Sequence, residues 1–298
     1  MKIFQWLGYG LAGIAGLVLL GATAAYVGSQ SKLNRTYAVT VTAPRVPTDA
    51  AALRLGEHVA TVRGCRVCHG EDLGGAKVVD DGAMGQLYGP NLTRGRGGLP
   101  EQWSDEDFVR AIRHGVGRNG RGLFLMPSFE YAALSEEDFG ALLAYVKAAK
   151  PVDRARVPIA LGPVARVLTA VGTITLSAAQ IDHGAVKPSV AVPAISVDYG
   201  RYIAIGCVGC HGPNFSGGRI DVGPPDWPPA ANLTPHPNGR LARWSEADFI
   251  RALRERRRPD GTGIDPVMPA VFGQMNETEL KALWRYLQTV PAAATGAR

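Results

Sequence analysis

The first thirty residues are almost entirely apolar. From Ile3 to Ser31 no charged side chain occurs, and a helix of this length can span a hydrocarbon core of about 30 Å. We therefore interpret residues 1–30 as a transmembrane anchor or an uncleaved signal. A secretory signal has a shorter apolar region of about 7–15 residues, although the small residues at Ala22-Thr23-Ala24 leave cleavage open. Either outcome predicts export of the residues that follow.

Beyond this segment, apolar positions recur with the helical period, and they do so in both halves of the chain. In the middle of each half, Ser104 with Asp107 and Ser245 with Asp248 have the spacing of a capping box that opens a helix. The pattern predicts an all-α fold in which each half is a small helical unit with loops rich in Gly and Pro. The clearest stripes, at i, i+3, i+4 and i+7, are Phe139, Leu142, Leu143, Val146 and Leu280, Leu283, Trp284, Leu287.

The two halves are a sequence repeat. The separation along the chain from Cys65 to Cys207 is the same as that from Met126 to Met268. The tripeptide Asn-Leu-Thr that begins at Asn91 returns in the second half at almost the same separation. Such a repeat predicts two tandem domains. The predicted organisation is a tether, a first domain, a linker that packs on the domains, and a second domain, at 31–48, 49–151, 152–190 and 191–298.

Composition and charge change this picture little. Hydrophobic residues make up 46% of the chain, and a formal net charge of +6 is only mildly basic. The basic residues form local patches rather than the basic face that nucleic acid requires, so no nucleic-acid partner is expected. In one patch, Arg251, Arg254 and Arg258 would share a helix face if the middle helix of the second half continues. This patch would suit a solvated surface, or the docking of an acidic partner or anionic lipid headgroups.

The four cysteines carry the chemistry. They form two Cys-x-x-Cys pairs, each followed directly by histidine: Cys65, Cys68, His69 and Cys207, Cys210, His211. This motif attaches c-type haem, with both thiols bonded to the porphyrin and the histidine bound to the iron. A thioredoxin-like redox pair needs a βαβ setting, and a zinc site needs further Cys or His at matched spacing. The sequence shows neither pattern around these cysteines. The sequence therefore predicts two covalently bound haem c groups.

A methionine followed by proline stands at the same distance from each motif. The spacing from His69 to Met126 equals the spacing from His211 to Met268. A lone methionine is more often a core residue, but the repeated spacing favours thioether ligation at the sixth position of iron. We expect His69 with Met126, and His211 with Met268, as the iron ligands. The remaining histidines, for which surface or structural roles are expected, are His58, His114, His183 and His236.

These motifs resemble those of class I cytochrome c domains, which combine an N-terminal Cys-x-x-Cys-His, a Met-Pro loop and an amphipathic C-terminal helix. The likeness covers about residues 50 to 295 and implies two tandem class I cytochrome c-like domains. In this family a proline carbonyl in a Gly-Pro-x-Leu loop accepts the Nδ1–H of the ligating histidine, which assigns Pro90 to the first site. The second half has Ala230-Ala231-Asn232-Leu233 there, so the resemblance implies two haems of somewhat different reduction potential.

With two protein ligands on each iron, the resemblance implies electron transfer rather than catalysis. The chain is similar to cytochrome c subunits of membrane-bound alcohol and aldehyde dehydrogenases, although those usually carry three haems. We expect a single-pass protein of the cytoplasmic membrane with its haem domains in the periplasm. In a respiratory chain it would pass electrons from a dehydrogenase or quinol-oxidising complex to an acceptor such as a terminal oxidase.

Two alternatives remain open for this role. One is an integral subunit of a larger respiratory complex, because the small residues Gly8, Ala12 and Gly16 form a stripe that would suit a transmembrane helix partner. The other is a di-haem peroxidase, which would need one iron with an open position. The equal ligand spacing in the two halves disfavours the peroxidase.

Overall fold

The computed structural model describes residues 2–220 and 227–297. It begins with one long helix, α1 (Lys2–Asn34). An 18-residue stretch within Phe4–Asn34 reaches a mean hydropathy of 1.9 and is not buried against the rest of the protein. By length and composition α1 is thus a candidate membrane span, as the sequence predicts.

In the remainder of the chain most of the regular secondary structure is helical. The first half contains α2 (Ala50–Val62), α3 (Cys65–His69), α4 (Asp105–His114), α5 (Ser128–Tyr131) and α6 (Glu136–Lys147). The linker contributes α7 (Pro163–Val171) and α8 (Ser177–Gln180). The second half contains α9 (Val197–Ala204), α10 (Val208–His211), α11 (Glu246–Glu255) and α12 (Glu277–Leu287). Short 3₁₀ turns lie at Ile205–Cys207, Arg240–Arg243 and Ala270–Gln274.

The capping boxes predicted from the sequence open α4 and α11. The Ser104 hydroxyl accepts the amide N–H of Asp107 at 3.2 Å, and the Asp107 carboxylate accepts the amide N–H of Ser104 at 3.0 Å. Ser245 and Asp248 make the same reciprocal pair. These caps satisfy donors that a helix otherwise leaves unpaired in its first turn. The middle helix of each half therefore begins where the sequence predicts.

The all-α prediction is incomplete, because the first half carries a small antiparallel sheet. β1 (Ala76–Asp81) pairs with β2 (Gly85–Gly89), and β2 pairs with β3 (Ala160–Leu161) from the linker. Between β1 and β2, the Asp81 carboxylate accepts the amide N–H of Met84 at 2.6 Å. Most strand residues are half-buried or exposed, so the strands lack the apolar alternation by which a sequence reveals a buried sheet.

The first and last helices of each half cross at very short range. Gly56 of α2 faces the backbone of α6, where an added Cβ would collide with the carbonyl oxygen of Ala141. Gly200 of α9 meets Ala282 of α12 in the same way. Glycine lets the two backbones approach, and the flanking apolar faces pack around the crossing. The repeat thus preserves one helix crossing in both halves.

The two halves share one hydrophobic core, in which buried residues of α2, α4 and α6 are continuous with those of α9, α11 and α12. Polar contacts reinforce the junction. The buried Arg63 guanidinium donates to the carbonyl oxygens of Tyr202 and Ile203, both at 3.3 Å, and stacks over the Tyr202 ring at 4.7 Å. The Tyr202 hydroxyl in turn bonds to the Asp138 carboxylate and accepts the amide N–H of Ser135. The segments that precede the two Cys-x-x-Cys motifs are therefore held against each other.

The linker packs on its surroundings, and much of its contact is with α1. The Arg166 guanidinium of α7 lies over the Tyr26 ring at 4.4 Å and donates to the Ser29 hydroxyl at 3.1 Å. The Lys32 ammonium donates to the carbonyl oxygen of Ala170 at 2.9 Å. These contacts join the C-terminal end of α1 to a helix of the linker. The candidate membrane helix is therefore packed against the rest of the protein at this end.

An ion pair also crosses between the halves. His58 Nε2 of α2 lies 2.8 Å from Glu279 Oε2 of α12, with the carboxylate side chain buried and the histidine 29% exposed. The hydrogen bond to Glu279 raises the pKa of His58, and burial opposes this in part. Because the folded-state pKa is the higher one, the pair stabilises the fold fully below the unfolded pKa of about 6.5. The contribution is lost as pH rises through the folded-state pKa.

Replacing His58 with glutamine is therefore expected to cost more stability in acid than in base. We expect the free energy of unfolding to fall by about 1 kcal/mol at pH 5.5 and by less at pH 9. Urea unfolding of both proteins at the two pH values measures the difference. His236→Gln is the matched control, because that ring accepts the amide N–H of Asn238 within its own turn. An equal loss at both pH values for H58Q would contradict the assignment.

Candidate haem-binding sites

The first Cys-x-x-Cys-His motif forms the single-turn helix α3. Gly64 precedes the turn and Gly70 ends it, and both have positive φ, +73° and +79°. Such angles favour glycine, which has no Cβ to strain. The turn leaves Cys65 and Cys68 half-buried and His69 buried. All three side chains of the predicted attachment site are thus presented by one turn.

A backbone carbonyl orients the first histidine. His69 Nδ1 lies 2.9 Å from the carbonyl oxygen of Pro90, which is the hydrogen bond that the family resemblance assigned to Pro90. Burial lowers the pKa of His69, and the bond to Pro90 opposes this only in part. The imidazole is therefore neutral at pH 7, with its Nδ1–H donated to the carbonyl. This tautomer leaves the Nε2 lone pair available to a metal.

The second motif repeats this geometry with different residues. His211 is buried, and its Nδ1 lies 2.7 Å from the carbonyl oxygen of Ala231. Burial lowers the pKa of His211 as it does for His69. The backbone acceptor is thus present without a proline ring, as the sequence comparison of the two halves indicated. The second site keeps the bond but loses the ring that would stiffen the acceptor loop.

The loops that carry these acceptors are clamped by a repeated hydrogen-bond network. Asn91 Oδ1 accepts both the amide N–H and the hydroxyl of Thr93 at 2.8 Å, and its Nδ2 donates to Val152 O at 2.7 Å. Asn232 does the same with Thr234 and with Ala293 O. The sequence repeat identified the Asn-Leu-Thr tripeptide. Its role in holding the loop could not be predicted, because its partners Val152 and Ala293 are distant along the chain. Each network fixes the position of a histidine acceptor.

A strained residue also supports each loop. Leu73 and Phe215 have φ of +56° and +60° although neither is glycine. Both side chains are buried, and their carbonyl oxygens accept the amide N–H groups of Leu92 and Leu233, each at 2.8 Å. Strain of this kind persists only when the surroundings fix it. The same conformation therefore recurs beside both predicted haem sites.

Burial favours the protonated thiol at Cys65, Cys68 and Cys207. Burial raises the pKa of Cys65 to about 12 and that of Cys207 to about 12. Burial also raises the pKa of Cys68. A pair of thiols beside a neutral, oriented imidazole is the donor set that covalent haem attachment uses. The residues present fit haem c in both halves.

The two predicted methionine ligands occupy equivalent loops. Met126 and Met268 are both half-buried and pack against the common core. The Met126 carbonyl accepts the hydroxyl of Ser177 at 2.7 Å, and the Met268 amide N–H donates to Asp265 O at 3.1 Å. These bonds hold the Met-Pro loops in place. Ligation of iron by the two thioethers stays a prediction.

The remaining histidines have protein partners. His114 and His183 face each other with their Nδ1 atoms 3.1 Å apart, and the Tyr37 ring meets His183 edge-on. His58 pairs with Glu279, and His236 bonds within its turn. These contacts agree with the structural roles that the sequence suggested.

The arginine patch of the second half does not form one helix face. The helix α11 ends at Glu255, and Arg256 adopts a positive φ of +56°. Arg256 donates to the carbonyl oxygens of Ile264 and Asp265, and Arg258 donates to the Thr262 hydroxyl. The helix does not continue, so these guanidinium groups stabilise the following loop instead of forming a stripe.

Comparison with known proteins gives a consistent picture. Residues 51–146 match the family described as cytochrome c oxidase, cbb3-type, subunit III, and residues 198–291 match the family described as cytochrome c. The chain is similar to the fructose dehydrogenase cytochrome subunit of Gluconobacter japonicus, with 29% identity over 84% of this chain and 56% of that protein. It is also similar to the alcohol dehydrogenase (quinone) cytochrome c subunit of Gluconobacter oxydans, with 25% identity over 83% of this chain and 56% of that protein.

A third relative has nearly the same length. The diheme cytochrome c-type protein of Cereibacter sphaeroides is 27% identical over 80% of this chain and 85% of its own length. In contrast, this chain spans a little over half the length of the two dehydrogenase subunits. The likeness to the diheme protein agrees with the two attachment motifs found here.

Proposed function

We propose, from the premise that this chain carries two tandem cytochrome c domains with two covalently bound haem c groups, that it conducts electrons away from a membrane-bound dehydrogenase. Electron transfer itself is supported by the matched families and relatives. The observation that carries the proposal is the pairing of two equivalent attachment turns, each with a buried histidine bonded to a backbone carbonyl. We assign the domains to residues 49–151 and 191–298.

The chain's own residues would hold each haem in the same way. We assign Cys65 and Cys68 to covalent attachment in the first domain, with His69 and Met126 as the iron ligands. In the second domain the corresponding residues are Cys207, Cys210, His211 and Met268. A bound haem c supplies one-electron redox chemistry at its iron. Two protein ligands on each iron would leave no position for substrate, which favours an electron carrier over a di-haem peroxidase.

We further propose that α1 spans the cytoplasmic membrane and that the haem domains face the periplasm. The apolar length of α1 and its unburied surface support this location. Haem attachment outside the cytoplasm agrees with the same orientation. The dehydrogenase would then donate electrons at the membrane surface, and a quinol-oxidising complex or a terminal oxidase would be the neighbouring component of the respiratory chain.

A permanent place in a larger complex is a second candidate. On α1 the glycines Gly8 and Gly16 have nothing within 4 Å of an added Cβ, so the stripe with Ala12 is open to another transmembrane helix. The two dehydrogenase relatives are named as cytochrome subunits, which also supports a subunit role. A mobile shuttle and a fixed subunit would use the same haem chemistry.

Reduction by a dehydrogenase substrate tests the proposal. Membranes that contain the full chain are solubilised in mild detergent, and a sugar or alcohol substrate is added while haem absorbance is followed. We expect reduction of haem c with the wild type and about half that amplitude with the double variant Cys207→Ser/Cys210→Ser, which lacks both attachment bonds of the second haem. A dehydrogenase that copurifies stoichiometrically favours the subunit, and an isolated chain that is still reduced by added membranes favours the shuttle. Haem that no such substrate reduces would contradict the dehydrogenase partner.

A further inference from the structure

Two consecutive residues of the first domain lie between the two haem-attachment turns. Tyr131 is buried, and its hydroxyl donates to the carbonyl oxygen of Arg63 at 2.9 Å, in the segment that leads into Cys65. Glu130 reaches the second domain instead, because a Cβ added to Gly209 would collide with its Oε1. A carboxylate from the first domain therefore lies against the attachment loop between Cys207 and Cys210.

The sequence repeat is broken at this contact on both sides. The first motif has Val67 at the position that Gly209 occupies in the second, so only the second attachment loop has the space that Glu130 fills. In the register that aligns Cys65 with Cys207, the counterpart of Glu130 is Phe272. The Phe272 ring lies 3.9 Å from a Cβ added to Gly206. At the repeat position where the first domain has a carboxylate, the second domain thus has an aromatic ring.

Few other groups act on this carboxylate. Burial raises the pKa of Glu130 to about 7, and the Arg63 guanidinium opposes the shift in part. The other titratable neighbours are Tyr131, whose pKa burial raises, and Cys207, whose thiol becomes a neutral thioether once haem is attached. Glu130 and Arg63 are the charged side chains that act on Cys207 in the second attachment loop.

We propose that Glu130 sets the reduction potential of the second haem: its carboxylate, seated against Gly209, lowers the potential of the haem attached at Cys207 and Cys210 relative to the haem attached at Cys65 and Cys68. A fixed negative charge stabilises ferric over ferrous iron because the oxidised site carries one more positive charge. The effect is largest where burial limits screening by water. It gives the electron a downhill step from the second haem toward the first.

Redox titration of the isolated full chain in detergent tests the proposal, with the two haems distinguished by their methyl resonances in ¹H NMR. At pH 8.5 we expect Glu130→Gln to shift the reduction equilibrium of the second haem about tenfold toward the ferrous form, which is about 59 mV for one electron. The reduction equilibrium of the first haem should shift by less than threefold. Glu137→Gln, an exposed carboxylate on α6, should leave both haems unchanged. Glu130→Asp keeps the charge and should restore most of the wild-type potential.

The pH dependence of the wild-type protein provides a test that needs no variant. The potential of the second haem should fall as pH rises through about 7, as Glu130 loses its proton, and this slope should be absent in E130Q. If E130Q does not retain both haems, the wild-type pH titration and E130D decide the question. A second haem whose potential is independent of pH in the wild type, or unchanged within twofold in E130Q, would overturn the proposal. None of these measurements depends on the identity of the dehydrogenase partner.

Discussion

Met268→Ala is expected to open the sixth coordination position of the second haem iron to an external ligand. Removing the thioether should leave the iron of the second domain with His211 as its protein ligand. Carbon monoxide should then bind about half of the ferrous haem in the sample. The potential of the second haem should fall by on the order of 0.1 V or more, within the ~0.8 V range that axial ligands control. Visible spectra with and without carbon monoxide, together with a redox titration, measure both effects.

The chain offers a matched control for this substitution. Met84 lies in the turn between β1 and β2, and Met84→Ala removes the same side chain without touching either Met-Pro loop. It should leave carbon monoxide binding and both potentials unchanged. Met126→Ala should repeat the result at the first haem. An M268A protein that binds no carbon monoxide would show that the sixth ligand of the second iron is another residue.

Gly200→Val is expected to cause a large loss of stability. The new Cβ would collide with the carbonyl oxygen of Ala282, which belongs to the rigid backbone of α12. The helices must separate, and overpacking of this kind costs typically about 1–3 kcal/mol and sometimes more. We expect the upper end, about 3 kcal/mol, because the obstacle is backbone. Urea unfolding of the haem-loaded chain measures the change.

Two further variants make this test specific. Gly56→Val places the same obstacle at the equivalent crossing of the first domain and should destabilise the protein to a similar degree. Gly263→Ala is the control, because an added Cβ there has nothing within 4 Å. If G200V unfolds at the same urea concentration as the wild type, the close crossing of α9 and α12 is incorrect.

The parts of the fold that the sequence predicted are those governed by local patterns. The helical stripe from Phe139 to Val146 gave α6, and the spacing of Ser104 and Asp107 gave the start of α4. The haem motifs could be found because covalent attachment requires a fixed local order of Cys and His. The Pro90 acceptor came from the family resemblance, and the structure places its carbonyl 2.9 Å from His69 Nδ1.

The parts that the sequence did not reveal depend on residues that are distant along the chain. Gly56 and Gly200 look like ordinary helix glycines until α6 and α12 are seen against them. Arg63, as a charged residue, would be expected on the surface. It is instead buried, and its guanidinium donates to two backbone carbonyl groups of the other domain. The small sheet was missed because β1 and β2 lack an apolar alternation and its third strand, Ala160–Leu161, is too short to show a period.

Glu130 illustrates the same limit at the candidate site. Nothing in its local sequence distinguishes it from the exposed carboxylates of α6. The broken repeat could have drawn attention to it. When the two halves are aligned, Glu130 corresponds to Phe272, and Gly209 corresponds to Val67. Within a duplicated chain, paired departures of this kind indicate where the two copies touch.

The common interior of the two domains determines how an electron moves inside the molecule. Since Arg63 joins the segments that precede the two attachment turns, we expect the distance that an electron crosses to be set by folding and not by movement of one domain about a hinge. Lengthening the chain near Gly184, in the exposed part of the linker, should leave the rate of that internal hop unchanged. An outside redox protein would then meet two haem sites whose separation is fixed by the shared core.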